Sequence, residues 1–136
     1  MSLVLVGESN PYGDEGFALF YLPRNASGNR LREHLGLSDE DYEAIPRVNL
    51  CPGRWSTPKG RENAARLLES YDVVVCLGAK VRAAFGAPPP FGLEARGAKT
   101  LITLPHPSGL NRQWDAPGSR ERARALLAPY LKRGEP

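Results

Sequence analysis

The sequence predicts an α/β protein with a central, mainly parallel four-stranded sheet. Three observations predict it. Short apolar runs recur at Leu3–Val6, Ile45–Cys51, Val73–Gly78 and Lys99–Leu104. The first and third show no polar alternation, which suits strands covered on both faces. Between them lie capped segments with helical spacing of apolar residues. Strands alternating with helices build a sandwich around a parallel sheet.

Leu3 to Val6 reads as a buried strand that Gly7 ends, and Glu8 to Gly16 reads as a loop holding Asn10, Tyr12 and Asp14. Phe17-Ala-Leu-Phe-Tyr-Leu before Pro23 is a helical turn or an irregular wall. Phe17 reads as core, while Phe20 or Tyr21 is the better candidate to stack on a flat ligand. Ser27 to Leu35 has Leu31 and Leu35 on one helical face and Gly36 to cap its end; His34 reads as surface. Ser38 with Asp41 three residues on is a capping pattern for a short acidic helix ending before Pro46. Its acids suit a helix N-terminus and need no catalytic role. Ile45 to Cys51 is the second strand. Thr57 caps the next helix, with Pro58 at its first position and an apolar face through Ala64, Ala65, Leu67, Leu68 and Tyr71. Val73 to Gly78 is the clearest central strand, its β-branched run fitting a doubly covered sheet. Lys80 to Phe85 is a short helix stopped at Gly86, and Ala87 to Gly92 is a proline-rich connector too short for a domain linker. Lys99 to Leu104 is the last strand. Gly118-Ser119 opens a final helix with Ala123, Leu126, Leu127 and Leu131 inward, and Lys132 to Pro136 reads as a frayed tail.

At 136 residues the chain fits one domain, residues 1–136, with a modest core. No apolar run approaches membrane-spanning length, and the N-terminus enters a strand pattern directly, so a membrane span and a signal peptide are not expected. Cys51 and Cys76 are far apart, each near an apolar run, which suggests buried reduced thiols in a cytoplasmic protein. No cysteine or histidine cluster has metal spacing, so neither metal nor cofactor is expected. The net charge of +3 permits a polyanionic partner without demanding one. Arg112, Arg120, Arg122, Arg124, Lys132 and Arg133 concentrate in the last segment. They form either a phosphate-facing surface or a solvated helix face.

Two strand-ending loops stand out. In Leu101-Ile-Thr-Leu-Pro-His-Pro-Ser-Gly-Leu-Asn-Arg-Gln-Trp114, prolines on both sides of His106 stiffen the backbone that aims its ring. Ser108 and Gly109 can bring backbone N–H groups close to a ligand. Leu3 to Asp14 is also an apolar run broken by a polar loop. Such loops meet at one edge of a parallel sheet, where open α/β folds bind ligands. Asn49 is a third signal, an amide in an apolar strand. A buried amide needs partners. It either ties down local backbone or presents C=O and NH₂ to a base edge.

Gly7 with Asn10-Pro11-Tyr12, and His106-Pro107-Ser108, resemble the two signature loops of the uracil-DNA glycosylase superfamily. The family's first loop reads Gly-x-(Asp/Asn)-Pro-(Tyr/Gly) and its second begins His-Pro-Ser. This chain has one extra residue between Gly7 and Asn10. The resemblance implies a three-layer α/β/α sandwich with strand order 2-1-3-4. It also implies a monomeric enzyme that removes uracil or a related deaminated base from DNA during base excision repair. By that resemblance His106 donates a hydrogen bond to charge developing on the base oxygen, and Asn49 holds the base edge. Tyr12 closes the pocket against a thymine methyl, and an aromatic such as Phe20 clamps the base face. Gly7, Glu8 and Ser108 complete the substrate-binding set. Pro107, Leu110 and Arg112 meet the DNA, Leu110 as a wedge in the vacated stack and Arg112 at a phosphate. Asn10 stands where the most active members carry aspartate; branches with asparagine there have slower chemistry and often a mismatch preference. Glu8 or Asp14 is a candidate for the missing carboxylate. Some branches hold an iron–sulfur cluster on four cysteines, which this chain lacks.

Two other readings remain open from residues alone. One is a module of the same fold that binds a base, nucleotide or nucleic acid without cutting it. The other is an unrelated small α/β hydrolase or transferase.

Overall fold

A computed structural model of the chain describes residues 2–10, 27–107 and 112–131, apart from the side chains of Ser9, Asn10, Ser27 and Pro52. Its elements are β1 (Leu3–Asn10), α1 (Ser27–Leu35), α2 (Asp39–Glu43), β2 (Arg47–Pro52), α3 (Thr57–Ser70), β3 (Val73–Leu77), α4 (Ala79–Phe85), β4 (Gly92–Arg96), β5 (Lys99–Leu104) and α5 (Ser119–Leu127). Short 3₁₀ turns cover Arg112–Asp115 and Ala128–Tyr130.

The sheet has five strands in the order β2-β1-β3-β5-β4. The four expected strands keep the expected order and are parallel to one another. The correction is a fifth, antiparallel edge strand, β4, which pairs with β5 through a tight turn at Gly97. Its sequence, Gly-Leu-Glu-Ala-Arg, is too polar to announce a strand. Its side chains alternate between half-buried and exposed, and Leu93 is 46% exposed. The Arg96 guanidinium pairs with Glu94 at 2.9 Å and donates to the carbonyls of Phe85 and Gly86, at 2.8 Å each. Charge on an edge strand discourages pairing with other chains.

The sheet buries both faces. Leu3, Leu5, Val73, Val75, Leu77, Ile102 and Leu104 pack against Leu31 and Leu35 of α1, Tyr42 of α2, Ala123 and Leu127 of α5, and Trp114. Val4, Val6, Leu50, Val74, Cys76 and Leu101 pack against Ala64 of α3 and against Val81 and Phe85 of α4. Alternate strand residues thus feed opposite layers, the period-two logic of a pleated sheet. Cys51 and Cys76 are free and buried, and burial pushes the Cys76 thiol up to about 12. No helix among the described residues is long and apolar enough to cross a membrane.

Several boundaries differ from expectation. β1 runs through Gly7 to Asn10, because β2 supplies ladder partners as far as Pro52. β2 starts at Arg47 rather than Ile45. Ser56, not Thr57, caps α3, accepting from the Lys59 N–H at 3.4 Å, so Pro58 is the second helical residue. Ser38 caps α2, accepting from the Asp41 N–H at 3.1 Å. Leu126 and Leu131 are only partly buried. His34 is not a surface residue: its ring stacks on Trp114, with centroids 4.3 Å apart and planes 7° apart. Helical spacing could not reveal this, because the partner lies 80 residues away.

Candidate functional site

Parallel register brings the C-terminal ends of β1, β2, β3 and β5 to one edge. Gly7 of β1 lies beside Asn49 of β2. Asn49 is 7% exposed, and among the described residues its amide has no hydrogen-bond partner. Val48 and Leu50 turn toward the α3/α4 layer, so Asn49 turns toward the other face, where Gly7 presents no side chain.

The other wall is built by β3 and β5. Leu77 pairs with Leu104, and the Gly78 N–H donates to the Leu104 carbonyl at 3.1 Å. His106 follows two residues later and packs directly on Gly78. A Cβ at Gly78 would stand 3.2 Å from the His106 Cβ and 3.4 Å from Cδ2. Gly78 also has φ +97° and ψ 167°, a conformation essentially reserved for glycine. It is therefore required twice, for its backbone shape and for the approach of the imidazole. In sequence it looks like an ordinary strand-ending glycine.

His106 is half-buried. Loss of solvent holds its pKa below the usual histidine range, against the opposing field of Glu8. The imidazole is neutral at neutral pH. Glu8 shares a pair with Lys80 of α4 at 3.5 Å. Gly7, Glu8, Asn49 and His106 thus lie on one sheet edge. The strands carrying Asn49 and His106 are three strand spacings apart, roughly 14 Å. The backbone of Asn10 pairs with Pro52, three residues beyond the level of Asn49, or about 10 Å further along the strand. Adding the extra residue between Gly7 and Asn10 extends β1 without breaking its register.

The Trp114 indole ties down the backbone of the His106 loop. The Trp114 indole is 5% exposed and donates from Nε1 to the carbonyls of Pro105 and His106, at 3.2 and 3.3 Å. His34 covers one face of the ring and Phe91 meets it edge-on, with centroids 5.6 Å apart. Burial, reinforced by the positive field of Arg120, pushes the His34 imidazole down to about 4. Trp114 was legible as an aromatic beside the loop, but not as the clamp on its backbone.

Pro107 is buried beside His106. The Arg112 side chain is 88% exposed, 3.8 Å from Asp115. The basic helix is partly committed to structure. Arg124 donates to the carbonyls of His34 and Glu33 at the end of α1, at 2.9 and 3.3 Å. Arg122 lies over the Phe91 ring at 4.7 Å. Tyr12, Asp14, Phe17, Phe20, Tyr21, Ser108, Leu110, the Asn10 side chain and the Lys132–Pro136 tail fall outside the described residues. Among the described residues no cluster of histidine, cysteine or carboxylate side chains could hold a metal ion.

No curated protein matches the chain. The family model for the uracil DNA glycosylase superfamily matches residues 2–131, nearly its whole length. The order of the four parallel strands is the one expected of that fold. The chain belongs to the uracil DNA glycosylase superfamily.

Proposed function

We propose that the protein is a monofunctional, monomeric glycosylase that hydrolyses the N-glycosidic bond of uracil, or of a related deaminated base, in DNA. The observation that carries this reading is the desolvated, neutral His106, braced by Gly78 at the edge that also holds Asn49. In the reaction the bond from sugar C1′ to the base nitrogen breaks. Its electron pair leaves with the base, a water oxygen bonds to C1′, and the proton that water loses passes through solvent to the departed base. The base departs as an anion whose charge spreads onto its ring oxygens. A neutral imidazole N–H aimed at such an oxygen stabilises that charge without first losing a proton. The Asn49 amide offers an acceptor and a donor side by side to the edge of a pyrimidine. Tyr12 and Phe20 would bound the ring, and Ser108, Pro107, Leu110 and Arg112 would hold the extruded strand, which must leave the stack before chemistry.

Asn10 offers a carbonyl oxygen to orient the water but no charge for the sugar cation. Among the described residues Glu8 is the carboxylate whose field reaches His106, and Lys80 neutralises it in part. That balance favours slow turnover. It also keeps in play a second reading, a base-binding module that does not cut. Acting on DNA, the protein would work in the cytoplasm.

The test is strand cleavage at abasic sites after incubation with uracil in single strands, in U·A pairs and in U·G pairs. A wild-type abasic product that is lost in His106→Ala and Asn49→Ala supports hydrolysis. Tight binding without product supports the module.

A further inference from the structure

One surface beside this site has no role in the reaction as described. Trp55, Thr57, Arg61, Lys80, Ala83 and Ala84 line an open groove between the start of α3 and the face of α4. Its floor is apolar, made by the indole and two alanines. Its rim carries two cations. The indole is held in place: Nε1 donates to the Thr57 hydroxyl oxygen at 3.2 Å. The far end of the ring rests on Gly60, where a Cβ would stand 3.1 Å from it. Lys80 links the groove to the sheet edge. Its ammonium lies 5.7 Å from the Trp55 ring centroid and 3.5 Å from the Glu8 carboxylate. Glu8 in turn acts on His106. Arg54, Lys59 and Glu62 are exposed close by in sequence.

We propose that this groove holds one nucleotide of the DNA strand flanking the target base. The base stacks on Trp55, and the phosphate lies between Arg61 and Lys80. This rests on the glycosylase reading for the identity of the strand. An aromatic platform rimmed by cations is the chemistry of single-strand binding. Stacking tolerates any base because every base has a π-face, and the cations track the backbone. A preformed indole loses little freedom on binding. Lys80 faces two ways, toward Glu8 and toward the groove, so a phosphate there would draw it from Glu8 and leave that carboxylate less neutralised beside the site.

The experiment uses the full chain and an oligonucleotide of six thymidines, which contains no uracil. The chain has two tryptophans. Trp114 is buried, so quenching of intrinsic fluorescence reads Trp55. Saturable quenching is expected, and in Trp55→Ala binding followed by anisotropy of a labelled oligonucleotide should weaken about tenfold or more. Arg61→Gln should weaken binding about three- to tenfold and lower the salt slope by about one phosphate contact. Arg30→Gln, on the opposite layer, should leave binding unchanged. Trp55→Phe keeps a stacking face, and binding followed by anisotropy of a labelled oligonucleotide should stay within about threefold of wild type. It covers the case in which Trp55→Ala fails to fold. No quenching of the wild type, or unchanged affinity and salt slope in Arg61→Gln, overturns the proposal. Uracil excision is measured on the same preparation. Quenching without excision leaves the groove standing and removes the glycosylase reading. Excision without quenching removes the groove alone.

Discussion

Substituting Gly78 by alanine should damage the site more than the fold. The added methyl meets two obstacles. Gly78 sits at φ +97° and ψ 167°, where an L-residue costs about 1–3 kcal/mol. The methyl also lands 3.2 Å from the His106 Cβ. Pro105 and Pro107 stiffen the histidine backbone, so relief comes from moving the imidazole outward. Overpacking of this kind costs about 1–3 kcal/mol. The sum, about 2–6 kcal/mol, is a large part of the roughly 5–15 kcal/mol that holds a small domain together. At roughly 3–5 °C per kcal/mol for a chain of this size, Tm should fall by about 6–30 °C. Displacing a reacting group by even about 1 Å can cost about 100-fold in rate. Single-turnover excision, at a temperature where circular dichroism shows the variant folded, should therefore fall at least tenfold. A folded Gly78→Ala variant with the wild-type rate would refute the argument that His106 depends on this contact.

The indole clamp predicts that Trp114→Phe, which keeps a ring against His34 but loses the N–H to Pro105 and His106, costs about 1–3 kcal/mol in urea unfolding and lowers the excision rate. Equal stability and rate would show that the clamp is idle. His34 and His106 both have folded pKa values below the unfolded value of 6.5. The unfolded chain therefore binds more protons in acid. Stability should be complete above pH 6.5 and decline as pH falls toward 4, and His34→Gln should flatten that decline in urea midpoints; no flattening would contradict the assignment. For the same reason excision should be flat from pH 7 to 8, with its acid limb below pH 6.5. A limb centred at pH 7 or above would mean that the imidazole is not desolvated. Asn49→Ala should lower excision roughly 10- to 100-fold while changing Tm little, because the amide has no partner among the described residues; a large Tm loss would recast Asn49 as a structural tie.

Most of the fold can be read from local pattern. Val73–Leu77 has no polar residue to confuse its assignment, and Ser38 announces the α2 cap through its spacing to Asp41. The edge strand Gly92–Arg96 was hidden because its stability comes from pairing with β5 and from the Arg96–Glu94 contact, neither of which has an apolar signature. The end of β1 was misplaced for a related reason. Gly7 looks like a breaker, yet the β2 ladder carries the strand past it. Of the site, His106 and Asn49 were visible because their types are out of place in apolar surroundings. Gly78, Lys80 and the backbone role of Trp114 were not, since each acts through a partner distant in sequence. The basic residues of the last helix misled in part, because Arg124 serves the carbonyls that end α1.

The most direct test is a crystal structure of the protein with DNA after excision, with uracil retained. The account predicts one pyrimidine ring with the Asn49 amide on its Watson–Crick edge and a His106 nitrogen on a ring oxygen, both at about 2.7–3.2 Å. A ring bound elsewhere, or one touching only one of these two side chains, would contradict it.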